Sequence, residues 1–174
     1  MNRLGIRMTN LKDKLIAEAL CIEEDAEHSA KGHFNAADRW AGYHLWIGLP
    51  SAIIAALAGG SAFNDMPIFA GSLAMVSTAL MTTLTFLKPS EHAENHKAVA
   101  GQYLALRNQT RLFRELELTE ASDIAEARKR LVELANIRDE LNQASPGIAR
   151  KDYEKAKADI DGGRTQYRID KEAT

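Results

Sequence analysis

The chain has 174 residues, enough for one compact unit or for a membrane hairpin with a modest appendage. Its 22 basic and 24 acidic side chains give a net charge of −2, so no overall positive field points to nucleic acid. The single cysteine, Cys21, cannot form an intrachain disulfide, which agrees with a reducing compartment. No phosphate-binding glycine loop or nucleophile–base motif is present, so we expect neither an enzyme nor a cofactor.

The first segment, residues 1–39, is predicted to hold an amphipathic helix and a juxtamembrane stretch. After a cap at Thr9 or Asn10, apolar residues recur at steps of four and three, at Leu11, Leu15, Ala19, Ile22 and Ala26. The remaining surface is mostly acidic, which favours packing on other helices over lying on a membrane. Gly32 is expected to kink or break this helix.

The second segment, residues 40–88, is predicted to form a two-pass transmembrane hairpin. From Trp40 to Asn64 there are 25 consecutive residues without Asp, Glu, Lys or Arg, and from Met66 to Leu87 there are 22 more. About 20 apolar residues cross a hydrocarbon layer of roughly 30 Å, so we place crossings at about 45–63 and 67–87. Asp65 and Pro67 suit the connecting turn. The alternative is a soluble helical protein with these two helices buried at its centre.

Charge and aromatic residues give the hairpin a predicted orientation. Lys31 and Arg39 precede it, Lys88 and Lys97 follow it, and its tip carries only Asp65. The positive-inside rule therefore places both termini in the cytoplasm. Aromatic side chains that favour the headgroup zone cluster before and at the start of the first crossing, at Phe34, Trp40, Tyr43 and Trp46.

Each crossing carries a distinct stripe at helical spacing. Small residues predicted to pack against another helix lie along the first, at Gly48, Ala52, Ala55 and Gly59. A mildly polar stripe lies along the second, at Gly71, Met75, Thr78, Thr82 and Thr85. This second stripe either packs against a helix or lines a water-filled path. Because two helices enclose no lumen, such a path would need several copies of the chain. Pro50 is read as a static bend or as a hinge.

Residues 89–145 are predicted to form two cytosolic helices, and residues 146–174 a tail with a short helix. The first helix starts after a cap at Ser90 and has a seam with a spacing of seven, at Val99, Leu106 and Phe113. The second follows Thr119 and ends at Pro146–Gly147, with apolar positions at Ile124, Ala127, Leu131, Leu134 and Leu141.

Two groups of polar residues in these helices could bind ligands. Arg107, Arg111 and Arg114 recur on one side of a helix, where they would form ion pairs or contact an anionic nucleotide or lipid headgroup. His92 and His96 have a spacing that can hold zinc but lack a defined third ligand. Polar packing or an interfacial role is the alternative, and no metal is predicted.

Five segments in order resemble the SLATT family, over about residues 10–145. They are Lys31–Ala37, Arg39–Trp40, the hairpin, Leu87–Glu91 and Tyr103–Asn108. The family name describes two-transmembrane effector domains associated with nucleotide-producing SMODS enzymes and nucleotide-sensing SLOG domains. The resemblance implies a bacterial inner-membrane protein that forms pores in CBASS-like anti-phage (abortive infection) defence, without catalytic residues.

Together these observations predict an all-α membrane protein that acts as a homo-oligomer in contact with lipid. The resemblance adds a nucleotide second messenger, or a protein that makes or senses one, as the expected partner, and nucleic acid is not expected. The competing hypothesis is a passive two-pass scaffold that recruits a soluble partner enzyme or sensor.

Overall fold

The computed structural model describes residues 3–64, 66–118 and 123–163, with side chains described from Leu11 onward. These residues form helices and no strand, which confirms the all-α prediction for the described part of the chain. The helices are α1 (Arg3–Phe63), α2 (Pro67–Leu87), α3 (Pro89–Leu112), α4 (Ile124–Ala144) and α5 (Arg150–Asp161). A π-helical turn, Phe113–Glu117, follows α3 directly.

The chain divides into two compact units. The hairpin unit is Ala36–Asn95, and the bundle unit comprises Met1–Asn35 and His96–Thr174. Both boundaries fall inside helices, so α1 and α3 each contribute residues to both units.

The helix α1 runs through Gly32 without a break, contrary to the expectation that this glycine interrupts it. A Cβ atom built on Gly32 would lie 3.1 Å from Cδ1 of Ile148. The glycine therefore permits a close approach between chain segments, which offsets its cost of about 1 kcal/mol in a helix interior. Pro50 also lies within α1 and does not end it.

The junction between α2 and α3 is set by Pro89. The residue before a proline is disfavoured in the right-handed helical region, and Lys88 adopts φ 43° and ψ 49° instead. Its backbone N–H donates to the carbonyl oxygen of Leu84 at 2.9 Å. The left-handed backbone conformation of Lys88 then ends α2. Pro89 is then the first residue of α3, so the start predicted after Ser90 was placed too late.

The bundle unit has an apolar core built from α1, α3, the π-helical turn and α4. Leu106 and Phe113, seven residues apart, are both buried there, as the spacing predicts. On α1 the predicted stripe is buried except at its first position, Leu11, which is 39% exposed. The core residues are Leu15, Ala19, Ile22, Ala26, Ala30, Tyr103, Leu106, Phe113, Leu118, Ala127, Leu131 and Leu134.

Local capping explains where α4 begins. The Asp123 carboxylate accepts a hydrogen bond from the backbone N–H of Ala125 at 2.8 Å, a typical N-cap. The helix ends at Ala144, two residues before Pro146. Thr119, at which a start was predicted, lies outside the described residues.

Substituting Leu134→Ala should destabilise the bundle unit by about 2–4 kcal/mol, because a fully buried leucine leaves a cavity. The matched control is Val132→Ala on the same helix, where the side chain is half exposed and the loss should stay near 0.5 kcal/mol or below. Chemical denaturation of the full chain in detergent, followed by far-ultraviolet circular dichroism, measures both. Equal losses would contradict the core assignment.

Candidate functional site

The hairpin unit contains two helical segments that are long and apolar enough to cross a membrane. In each of them, only 11% of an apolar stretch of 18 residues is buried inside the chain. Large side chains stay open to the surroundings: Trp46 is 78% exposed, Phe63 92%, Ile68 86% and Phe86 83%. Core helices of soluble proteins are mostly buried. This exposure therefore disagrees with the soluble alternative, in which the two helices form the centre of one chain.

A reciprocal pair of serines joins α1 to α2. The Ser51 hydroxyl donates to the carbonyl oxygen of Ser77 at 3.1 Å, and the Ser77 hydroxyl donates to that of Ser51 at 2.9 Å. Both side chains are buried. Such bonds require backbones that approach closely, and small side chains make this possible. Seven residues from each serine, toward the connecting turn, Ala58 and Ala70 are also buried.

The predicted small-residue stripe of α1 lies mostly beside this contact. Gly48 faces Leu84, whose Cδ1 would lie 3.4 Å from a Cβ at this glycine. Ala52 is exposed, while Ala55 and Gly59 line an open groove shared with α2. The contact itself uses Ser51, which the sequence analysis did not single out. The seven-residue spacing of small residues, Ser51–Ala58 and Ala70–Ser77, is the sequence signal that could have identified it.

The polar stripe of α2 lies outside the buried contact with α1, although Gly71 and Thr78 border the open groove shared with α1. All five of its residues are exposed, and the buried positions Ala70 and Ser77 lie one residue before Gly71 and Thr78, about 100° around the helix. The stripe residues are Gly71, Met75, Thr78, Thr82 and Thr85.

Two of the threonines satisfy their hydroxyl donors within α2. Thr78 donates to the carbonyl oxygen of Ala74 at 2.8 Å, and Thr85 donates to that of Met81 at 3.0 Å. Each oxygen keeps acceptor capacity toward water or another helix.

An aromatic cluster with a cationic member lies in the hairpin unit beside the first crossing. Trp40 stacks on His92 with ring centroids 4.6 Å apart, and Tyr43 meets Trp40 edge-on at 5.6 Å. The Arg39 guanidinium lies 5.1 Å from the Trp40 ring centroid, within cation–π range. Rings that combine an apolar face with a polar atom favour membrane–water interfaces.

A buried histidine pair joins α1 to α3 in the bundle unit. The Nδ1 atoms of His33 and His96 lie 2.8 Å apart, so one ring donates N–H and the other accepts. Tyr103 stacks on His33 at 5.7 Å, and its hydroxyl donates to Asn142 Oδ1 at 2.7 Å. Burial, together with the nearby His96, lowers the pKa of His33 from 6.5 to about 4. His33 is therefore neutral at physiological pH.

The zinc-compatible spacing of His92 and His96 does not bring these two rings into a shared ligand set. His92 stacks on Trp40, whereas His96 bonds to His33. Within residues 3–64, 66–118 and 123–163 no group of three or more His, Cys, Asp or Glu residues could hold a metal ion.

The arginine row of α3 and the π-helical turn faces acidic residues of α1. Arg107 lies 3.3 Å from Glu27, and Arg114 holds Glu23 through two hydrogen bonds of 2.7 and 3.3 Å. The hydrogen bond to Glu23 is the main reason that the pKa of Arg114 is raised. Arg111 is partly buried and also interacts within the chain. These contacts favour ion pairing over binding of an anionic ligand at this row.

Comparison of the chain with family models, curated proteins and solved structures finds no match. The SLATT resemblance accordingly stays a prediction from the sequence segments that carry it.

Because the folded state holds His33 neutral, its contribution to stability should be present above pH 6.5 and be lost as pH falls from about 6.5 to about 4. The full loss corresponds to roughly 3 kcal/mol. His33→Gln should remove this part of the pH dependence, whereas His92→Gln, an exposed histidine, should keep it. Denaturation of the full chain in detergent across this range measures the difference, and parallel pH slopes for wild type and His33→Gln would contradict it.

Proposed function

We propose that this chain is a bacterial two-pass membrane effector of the SLATT type. In this proposal it oligomerises into a pore that disrupts the inner membrane during nucleotide-signalled anti-phage defence. The observation that carries the proposal is the exposure of large apolar side chains along both helices of the hairpin unit. The 21 residues of α2 rise about 30 Å, close to the thickness of a bilayer's hydrocarbon.

The proposed topology has both termini in the cytoplasm. Basic residues support it, because Lys31 and Arg39 precede the first crossing and Lys88 follows the second. The cluster of Trp40, Tyr43 and His92 supports a membrane–water interface at this level, and the Arg39 cation beside Trp40 supports the cytoplasmic side.

The proposed water path is formed between copies by the exposed polar stripe of α2. One hairpin encloses no lumen, so its stripe can meet water only where several copies surround it. Neither predicted crossing contains an ionisable side chain, which disfavours ion-coupled transport and fits a passive pore. The serine pair keeps α1 and α2 together as one element of this assembly.

The proposed trigger acts on the bundle unit and shifts a population of closed assemblies toward open ones. Its chemical class, a nucleotide signal or a protein that makes or senses one, comes from the SLATT resemblance alone. The ion pairs of Arg107 and Arg114 with Glu27 and Glu23 argue for contact elsewhere on the unit.

The topology predicts opposite labelling of two cysteines by a membrane-impermeant maleimide in intact spheroplasts. Native Cys21 is exposed on α1 and should react only after the membrane is permeabilised. A cysteine placed by Asn64→Cys, in a Cys21→Ser background, should react at once because it lies at the tip of the hairpin. Immediate labelling of Cys21 would overturn the proposed orientation.

The pore predicts dye release from liposomes of bacterial lipid, at high protein density or on addition of cyclic dinucleotide. The double substitution Thr78→Leu and Thr82→Leu should reduce dye release at least about tenfold. It replaces hydroxyl groups that accept hydrogen bonds from water with larger apolar side chains along the proposed path. Thr83→Leu is the matched control: Thr83 is also exposed and bonded to its own helix, at Ala79, but lies on another face.

Two results would count against this proposal. Unchanged release from the double variant would remove the threonine stripe from the path. Absence of release from wild type at every density, with and without cyclic dinucleotide, would contradict the pore and favour a scaffold that recruits a soluble partner.

A further inference from the structure

The helix α5 docks through an unusually polar face. Its buried residues are Asp152, Ala156 and Asp159, at helical spacings of four and three, and two of these three are acids. Its largest aromatic side chain, Tyr153, is 49% exposed. Aspartate is rarely buried unless it is paired. The docking face of α5 is therefore largely polar, with Ala156 and the half-buried Ile160 as its apolar members.

Those contacts reach one face of α1. The Asn35 side-chain amide donates to the carbonyl oxygen of Asp152 at 3.1 Å. Lys31 forms an ion pair with Asp159 at 3.5 Å, and the His28 ring lies 6.3 Å from the ring of Tyr153. Residues 28, 31 and 35 are spaced by three and four, so they lie in one row along α1.

The linker that carries α5 also packs against α1. Residues 146–149 have no regular structure, and Ile148 closely approaches Gly32. Because α4 has already ended at Ala144, α5 and this linker can leave α1 without unwinding α4.

α5 and its linker have fewer apolar anchors than the helices of the core, namely Ala156, Ile160 and Ile148. α1, α3 and α4 share buried leucine, isoleucine and aromatic side chains, whereas α5 contributes none of these to that core. The ion pair of Lys31 with the buried Asp159 is open to solvent on the lysine side, where the side chain is 34% exposed, and is therefore screened by salt. Elements with few buried apolar contacts open at the lowest free energy.

The segment that α5 holds is the last part of α1 before the hairpin unit. Lys31, Gly32 and Asn35 all receive contacts from α5 or its linker, and the hairpin unit begins at Ala36. Since α1 continues unbroken across this point, the segment that α5 contacts belongs to the same helix as the first crossing.

We propose that α5 is a reversible clasp on α1. While α5 is docked, the pore stays closed and the protein is silent (it releases no dye from liposomes); release of α5 from α1 is the step that permits the pore to open. This regulation rests on the pore function proposed above. The proposal also gives the segment Lys31–Asn35 a role, as the docking site of α5. Lys31, His33 and Asn35 of this segment all contact other side chains or backbone of the bundle unit.

The direct test undocks α5 with Ala156→Arg, which forces a long cation into a fully buried position. The matched control is Ala158→Arg, the same change at an exposed position two residues away. Hydrogen exchange in the full chain reports docking, and α5 amides should exchange at least about tenfold faster in Ala156→Arg only. At a liposome density where wild type is silent, Ala156→Arg alone should release dye without nucleotide.

The outcomes separate the clasp from the pore. If Ala156→Arg frees α5 but stays silent, while wild type releases dye at higher density, the clasp is overturned and the pore stands. If α5 exchanges as fast in wild type as in Ala156→Arg, it is not docked, and the clasp is overturned as well. If no variant and no condition releases dye, the pore and the regulation that rests on it both fail.

A locked form covers the case in which Ala156→Arg misfolds. Cysteines introduced by Gly32→Cys and Ile148→Cys, in a Cys21→Ser background, lie where the two segments touch and should form a disulfide. The oxidised protein should stay silent at a density at which the reduced protein releases dye. Equal release from the two redox forms would overturn the clasp.

Discussion

The continuity of α1 is the constraint on which the rest of the structure depends. Its 61 residues form one helix, with Pro50 inside it, that contributes residues first to the bundle unit and then to the hairpin unit. A helix bends little without a proline, a π-bulge or an inserted side chain, and α1 has no proline between Lys31 and Leu49. Lys31 and Asn35, which α5 contacts, therefore lie on the same helix that continues from Ala36 as part of the hairpin unit.

The two units achieve their contacts with different chemistry. In the hairpin unit, α1 and α2 meet through Ser51 and Ser77, whose hydroxyls bond to backbone carbonyls and leave no charge to desolvate. In the bundle unit, an apolar core is bordered by ion pairs and by the hydrogen-bonded pair of His33 and His96. This difference is expected if lipid surrounds the first unit and water the second, because exposed charge is costly only in lipid.

The buried histidine pair adds directional specificity to the bundle unit. A single N–H···N bond between two rings fits only one register of α1 against α3, and the stacking of Tyr103 on His33 fixes the ring plane. An apolar pair of similar size would tolerate sliding, since the hydrophobic effect is not directional. The pairs Glu23–Arg114 and Glu27–Arg107 impose the same antiparallel register along the contact.

Sequence alone determined the helical class, the two apolar lengths and the core seam of Leu106 and Phe113, because these follow from chain-local spacing. It did not determine which faces meet: the contact between α1 and α2 uses Ser51 and Ala58, and His96 pairs with His33, 63 residues away in the chain. Gly32 illustrates the reason. From the sequence it could break the helix or allow another segment to approach closely, and only the tertiary structure shows that Ile148 lies against it. Local propensity decides that a helix forms, whereas the partners of its side chains are decided by packing between distant segments.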